Sequence, residues 1–454
     1  MLKKIAAFLH LWLGLISGVI VFVISLTGCL YVFEAELRSW VEHPFTHFEA
    51  TPSEPRLPVS ALHAVGLRAL RKATGQPLDS VQYASVSLYS AADRTALFYA
   101  YDEAQQLYHH VYIHPHTGEV LRIKNRNRDF FTLVIDLHTR LLLPRAIGHH
   151  VVGASVFVFV VMLTTGIILW WPRNKAALKQ RFAIKWNARW RRVNYDLHNV
   201  NGFYFFPLAL IIAVTGLVWS YEWVGQSIYW MANGGTPVTA YTEPQSVAHG
   251  RRQNTLLADS LADALRQQFP EAAYYSIDFP SHARATLNVG VYPDESVYYN
   301  SSYYSFDQYT GQLVKAEVFD QMNAGEKLRA MNYDIHIGKI LGLPGQILAF
   351  AASLVASLLP ITGLLIWRGR RNKNDPRHKV HETSQILVFK TNIASEKQVE
   401  EAAVSLSRLK GIVSWTVDRQ DHDHVLRVVG KSVRPQHVEA GLRARGLICR
   451  EMEE

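Results

Sequence analysis

Asn194-Tyr195-Asp196-Leu197-His198, followed by an apolar run that closes in Val214-Thr215-Gly216 and then Glu222, sets the frame of the chain. A histidine opens a membrane-length helix and a Thr-Gly pair closes it. His10, Thr27-Gly28 and Glu34 repeat the frame, with eighteen positions from His to Gly and six from Gly to Glu in both places. Two further apolar runs carry the pair as Thr165-Gly166 and Thr362-Gly363. Each is preceded by an Asp-x-His, at Asp136-Leu137-His138 and Asp334-Ile335-His336. Four spans with one grammar indicate a duplicated unit.

Nearly charge-free runs lie at roughly Ile5 to Phe33, Gly148 to Trp171, Gly202 to Val224 and Gly338 to Trp367. At about 1.5 Å per residue, each can cross a hydrocarbon core of roughly 30 Å. The net charge of +9 is concentrated beside these spans. Lys3 and Lys4 precede the first; Arg181, Lys185, Arg189, Arg191 and Arg192 stand with Arg173, Lys175 and Lys179 between the second and third; Arg368, Arg370, Arg371, Lys373, Arg377 and Lys379 follow the fourth. By the positive-inside rule these segments face the cytoplasm, and both chain ends with them. A fourth cluster, Arg122, Lys124, Arg126 and Arg128, falls in a long translocated segment, where the rule is weak. It is read as attracting an anionic ligand or as anchoring at headgroups. The chain divides into a first span (1–34), a first external segment (35–145), a second span (146–172), a basic loop (173–197), a third span (198–225), a second external segment (226–335), a fourth span (336–368), a basic linker (369–382) and a tail (383–454).

Only Cys29 and Cys449 are present, which excludes a disulfide framework and a Cys-ligated iron–sulfur cluster. Lys3-Lys4 with Leu26-Thr27-Gly28-Cys29 also fits a lipoprotein signal. The run continues through Tyr31-Val32-Phe33, however, and Thr-Gly recurs in three other spans, so the segment is read as a retained helix.

The first external segment shows a helical pattern at Val59 to Lys72, strand-like runs at Thr95 to Tyr101 and His109 to Ile113, and a turn at Pro115-His116-Thr117-Gly118 leading into another strand. The second repeats that order, with a helix at Leu256 to Gln268, strands at Ala285 to Val291 and Tyr303 to Asp307, and Tyr309-Thr310-Gly311 before the last strand. Two small α+β domains are expected. The tail reads βαββαβ, the ferredoxin-like order, without a Cys-x-x-Cys for metal transfer. Asp421-His422-Asp423-His424 within it reads as a solvated hairpin turn.

Ionisable groups in membrane spans are functional candidates by default. With alternating helix direction, His10 and His198 lie at the cytoplasmic edge and His138 and His336 at the external edge. Each face of a four-helix bundle thus receives two imidazoles, the axial ligand set of a b-type haem in an apolar slot. Thr27, Gly28, Thr165, Gly166, Thr215, Gly216, Thr362 and Gly363 are the small residues that would give such a plate clearance, or that simply pack helices closely. His150, and behind it His149, is an alternative outer ligand. The absence of Cys-x-x-Cys-His excludes covalent haem attachment, and two histidines per face make a poor zinc shell. Glu34 and Glu222 are read as solvated helix-end residues, or as groups that handle protons or bind a cationic substrate.

Several motifs together resemble the PepSY-associated transmembrane family. They are His-Leu-Trp-Leu-Gly at 10–14, Asp-Leu-His at 136–138, Thr-Gly-Ile-Ile-Leu-Trp-Trp-Pro at 165–172, Asp-Leu-His-Asn-Val-Asn-Gly at 196–202 and the two Thr-Gly hairpins. The resemblance implies a bacterial inner-membrane protein, mainly α, with a four-helix bundle and two periplasmic PepSY-like domains. It also implies two haems b and one-electron reduction of a ferric siderophore or other Fe(III) chelate in the periplasm, with quinol or a cytoplasmic reductase as donor. No nucleic-acid role is expected. A non-enzymatic sensor or protease-regulating scaffold is the alternative from a different class, and a chelate transporter is a third, with too few spans and no broken helix pair.

Overall fold

Four long helices carry the apolar runs: α1 (Leu2–Val32), α5 (Arg145–Trp170), α6 (Trp190–Ser220) and α10 (Gly342–Lys373). Each is long and apolar enough to cross a membrane. The computed structural model describes residues 1–49, 55–76, 81–172, 181–238, 241–247, 255–373, 385–419 and 421–452. Arg173, Lys175, Lys179, Arg377 and Lys379 of the basic segments lie outside them. The outward surface of α1 is apolar, with Ile16 and Val19 among its most exposed residues, which is the surface a lipid solvent requires. Inward, small residues let backbones approach. Ala209, Ala213 and Ala356 share a core with Val21, Phe159 and Leu163, and a Cβ on Gly18 would stand 3.4 Å from Pro360 Cβ. The first helix runs unbroken past Cys29, which is buried.

Chain breaks at the spans are taken up by short helices. After α1 comes α2 (Glu34–Thr46), and after α6 comes α7 (Glu222–Ala232). Before α5 comes α4 (Phe130–Arg140), and before α10 comes α9 (Ala324–His336). His138 and His336 therefore sit near the C-terminal ends of α4 and α9, outside the long helices. Two equivalent glycines make this possible. A Cβ on Gly148 would fall 2.2 Å from the Arg140 carbonyl oxygen, and one on Gly345 would fall 2.1 Å from the Gly338 carbonyl oxygen. Only glycine lets the start of α5 and of α10 press onto the turn that ends the histidine-bearing helix.

Between the spans the chain builds one antiparallel sheet of eight strands in the order β4-β3-β2-β1-β5-β6-β7-β8. The strands are β1 (Tyr83–Tyr89), β2 (Ala96–Asp102), β3 (Leu107–Ile113), β4 (Val120–Asn125), β5 (Tyr274–Phe279), β6 (Thr286–Tyr292), β7 (Ser302–Asp307) and β8 (Leu313–Glu317). The two external segments each supply four strands, and the halves join edge to edge where β1 pairs β5, Ala84 opposite Phe279 through Tyr89 opposite Tyr274. That pairing leaves neither central edge free for association with another chain. The strands β1 and β5 have no counterpart among the runs expected from sequence. Helices α3 (Val59–Thr74) and α8 (Thr255–Gln268) cover one face, over a continuous core that includes Leu62, Phe98, Val86, Ile277 and Val289. Asp259 of α8 accepts hydrogen bonds from the backbone N–H (2.8 Å) and hydroxyl (2.6 Å) of Ser60 and so caps the start of α3 across the core. The other face is polar and aromatic. Opposite residues there are Tyr83 and Tyr101, Tyr99 and His110, Tyr89 and Tyr274, Tyr274 and Tyr292.

The chain splits into two units, Met1–Leu364 and Leu365–Glu454. The second contains β9 (Gln385–Thr391), α11 (Glu396–Ser407), β10 (Ile412–Asp418), β11 (Val425–Gly430), α12 (Pro435–Arg443) and β12 (Cys449–Glu451). Its sheet is antiparallel in the order β10-β11-β9-β12, closed on a core that includes Phe389, Ile393, Leu426 and Leu442. His422 lies exposed in the β10–β11 turn, beside Asp423, which pairs with Lys390.

Candidate functional site

His10 on α1 and His198 on α6 face each other with ring centroids 6.2 Å apart and planes at 87°. His138 and His336, on α4 and α9, do the same at 6.2 Å and 70°. His10 and Thr27 are separated by seventeen residues of one helix, about 25 Å at ~1.5 Å per residue. The second pair sits at the level of Thr27, so the two pairs lie toward opposite ends of the bundle. His150 is exposed on α5 with His149 as its ring neighbour at 5.7 Å, and it is His138 that meets His336.

All four Thr-Gly pairs hold histidines. Thr165 Oγ1 is 3.1 Å from His10 Nδ1 and Thr27 Oγ1 is 3.2 Å from His138 Nδ1; Thr362 and Thr215 stand 2.9 Å from Nδ1 of His198 and His336. A Cβ on the following glycine, Gly166, Gly28, Gly363 or Gly216, would stand 3.3 Å from Cε1 of the same histidine. From sequence these glycines are expected to give a porphyrin clearance or to pack helices. The atom each one faces belongs to an imidazole.

This geometry fixes the tautomer. Thr27 Oγ1 donates to the Val23 carbonyl (2.8 Å), Thr165 to Val161 (2.9 Å), Thr215 to Ile211 (2.8 Å) and Thr362 to Leu358 (3.0 Å). Each hydroxyl proton is committed, so the oxygen accepts from the histidine. The carbonyls of Met162 and Ile24, 3.0 and 2.8 Å from Nδ1 of His10 and His138, can only accept. Nδ1 therefore carries the proton, and Nε2 keeps the lone pair that binds metal. Half the centroid separation is about 3.1 Å. A metal–imidazole bond of roughly 2 Å plus ~1.1 Å from nitrogen to ring centroid adds up to the same length, so the spacing suits two imidazoles on one metal. Among the described residues no group of three or more His, Cys, Asp or Glu is arranged to hold an ion. Two imidazoles, each with an oriented Nδ1–H, fit a haem, whose porphyrin supplies the other four nitrogens.

Two asparagines escaped the sequence reading. Asn194 Nδ2 donates to the Thr362 carbonyl (3.1 Å) and Asn332 Nδ2 to the Thr215 carbonyl (3.2 Å), each tying a histidine helix to the Thr-Gly turn opposite. Their repeated Asn-x-x-x-His spacing, 194 to 198 and 332 to 336, was the available signal. The corresponding positions in the first half are Ala6 and Val134, both buried.

Near the sheet end, Glu42 of α2 is buried and accepts from Tyr112 (2.6 Å), Arg126 (2.8 Å), Arg38 (3.2 Å) and Lys124. Burial alone would raise this carboxyl. Hydrogen bonds from Lys124 and Tyr112, with the charges of Arg126 and Lys124, bring it down to about 2. Two members of the basic cluster at 122–128 are thus spent inside the protein on Glu42 and Asp129. Glu34 pairs with Arg38, and Glu222 accepts from Gln226 (2.9 Å) at the wall of a cavity of about 520 Å³ that also reaches Thr215.

Four apolar helices of spanning length under one sheet define a multi-pass membrane protein. A family model described as PepSY-associated TM region matches residues 7–370, and the chain belongs to that family. No curated protein matches the chain.

Proposed function

We propose that the chain is an inner-membrane haem b oxidoreductase that carries electrons across the bilayer and reduces an Fe(III) chelate, such as a ferric siderophore, on the sheet side. The observation that supports this most is the pair of neighbouring imidazoles at each end of the bundle, each with its Nδ1 held. His10 and His198 would hold one haem and His138 and His336 the other; bound haem supplies a one-electron carrier. The threonines orient the rings and keep the Nδ1 proton in place, and the apolar helices exclude water. The excess of Lys and Arg at Lys3-Lys4, in the loop before α6 and after α10 supports placing those segments in the cytoplasm and the sheet in the periplasm. Quinol or a cytoplasmic reductase is the donor on this reading.

The same reading takes the membrane unit as a duplication, supported by the matching order of elements in the two halves. It takes the tail as a ferredoxin-like domain, supported by its βαββαβ order and its β10-β11-β9-β12 sheet. The test is optical. Purified protein should show a b-type Soret band that dithionite shifts and ferric chelate restores, and His198→Ala should lose one haem and keep the other. A colourless protein, or a reduced band that ferric chelate leaves unchanged, rejects the function.

A further inference from the structure

The face of the eight-stranded sheet opposite α3 and α8 is lined with phenols; α2 covers part of it, where Tyr112 is buried against Phe45 and Glu42. On the first half Tyr99 lies 5.6 Å from Tyr108 and 5.4 Å from His110; at the junction Tyr89 lies 5.3 Å from Tyr274 of the second half, which stacks on Tyr292 at 4.2 Å and 7°. Nothing in the core requires this, because the apolar residues of the same strands point to the opposite face. Both ring nitrogens of His110 are buried without a hydrogen-bond partner among the described residues, in the middle of the phenol cluster. A buried, unpaired imidazole is costly unless something else occupies its bonding positions.

A run of aromatic rings leads from the histidine pair at the sheet end to the loop between β6 and β7. His336 lies 5.1 Å from Trp219, Trp219 lies 6.4 Å from Tyr333, and Tyr333 lies 5.7 Å from Tyr298. Backbone N–H groups of Tyr298 and Tyr299 donate to Asp334 at 3.1 and 2.9 Å, which fastens this loop to α9 two residues before His336. Burial raises the phenols of Tyr99, Tyr274 and Tyr292 above the usual tyrosine range, with neighbouring phenols adding to it. They are therefore neutral hydrogen-bond donors and ring surfaces; they are not phenolates that would compete for iron. His110 is held neutral by burial and by Arg126, Arg38 and Lys124 nearby.

We propose that this tyrosine face is the docking surface for the electron acceptor, and that it selects ferric chelates whose iron is wrapped in aromatic oxygens, catecholates or phenolates. Ring stacking recognises the aryl plates, and phenol and imidazole N–H or O–H groups donate to the charged oxygens around the iron. The inference rests on the reading of the histidine pairs as an electron-delivering site, and its test is binding, which needs no electron transfer. Full-length protein in lipid nanodiscs is dialysed to equilibrium against ferric tris-catecholate and, separately, ferric tris-acetohydroxamate.

The expected result is catecholate binding about tenfold tighter than hydroxamate. Tyr99→Ala and Tyr292→Ala should each weaken it by about tenfold, and Tyr292→Phe, which keeps the ring, by much less. An unchanged Soret band in each variant shows that the bundle is intact. Equal binding of the two chelates, or catecholate binding unmoved in both alanine variants, overturns the proposal. A colourless protein that still prefers catecholate would sink the haem reading and leave the docking surface standing. A coloured protein that reduces both chelates with no ring preference would do the reverse.

Discussion

Replacing Thr215 by Val tests the hydroxyl that holds His336. The substitution keeps the shape and removes the acceptor 2.9 Å from His336 Nδ1. One hydrogen bond of this kind contributes about 1 kcal/mol net, and outer-shell partners of metal-binding histidines typically change affinity by ~10–100-fold. The four sites give different expectations. His138 leans on the Ile24 carbonyl at 2.8 Å and has Thr27 only at 3.2 Å; His10 has Met162 at 3.0 Å and Thr165 at 3.1 Å. His198 and His336 have their threonines at 2.9 Å, with the Leu359 and Ile212 carbonyls as second partners. Thr215→Val and Thr362→Val should therefore weaken haem retention by about tenfold or more, and Thr27→Val and Thr165→Val by a few-fold. The assay is haem transfer to apomyoglobin, followed by the decay of the b-type spectrum, with a redox titration to register any change in potential. Four equal variants, or wild-type retention in Thr215→Val, would refute the argument that the hydroxyl sets the tautomer.

Three other outcomes follow from the structure. Gly148→Ala places a Cβ 2.2 Å from the Arg140 carbonyl oxygen, so α4 and α5 must part; a loss of about 2–4 kcal/mol and release of the sheet-end haem alone are expected, read by thermal denaturation and haem stoichiometry. The Glu42 carboxyl is lowered from 4.5 to about 2, so its contribution to stability is fully present above pH ~4.5 and is lost as pH falls toward 2. Melting temperature measured across that window should fall less steeply in Glu42→Gln than in the wild type. Asp259→Ala removes the cap on α3 and should cost about 1 kcal/mol, seen as a lower melting temperature with an unchanged optical spectrum.

The membrane spans and the pairing of histidines were legible because each rests on a long-range regularity. Eighteen positions from His10 to Gly28 and from His198 to Gly216 put equivalent groups at equivalent heights, and helix direction then assigns them to ends. The tail was legible for a similar reason, since its strands and helices alternate with clear turns. What sequence concealed was made by tertiary contact. Strand β1 alternates Ala84, Val86 and Leu88 with Ser85 and Ser87, a pattern in plain view; what the sequence did not show is that both faces are buried from Ala84 through Leu88. Its partner β5 packs its apolar side into the same core, and the joining of two halves into one sheet depends on a pairing between residues about 190 apart. The role of each threonine was hidden because Thr-Gly in a membrane helix serves plain helix packing equally well. Only the placement of a histidine from another helix beside each pair separates the two uses.

What the two imidazole pairs bind is read most directly by one optical spectrum with a haem-to-protein ratio. Two haems b per chain are expected, falling to one in His198→Ala and to one in His336→Ala, with the remaining band distinct in the two variants. A protein purified from haem-replete cells without a Soret band, or one whose haem content is unchanged in both variants, would contradict the assignment of His10 with His198 and His138 with His336.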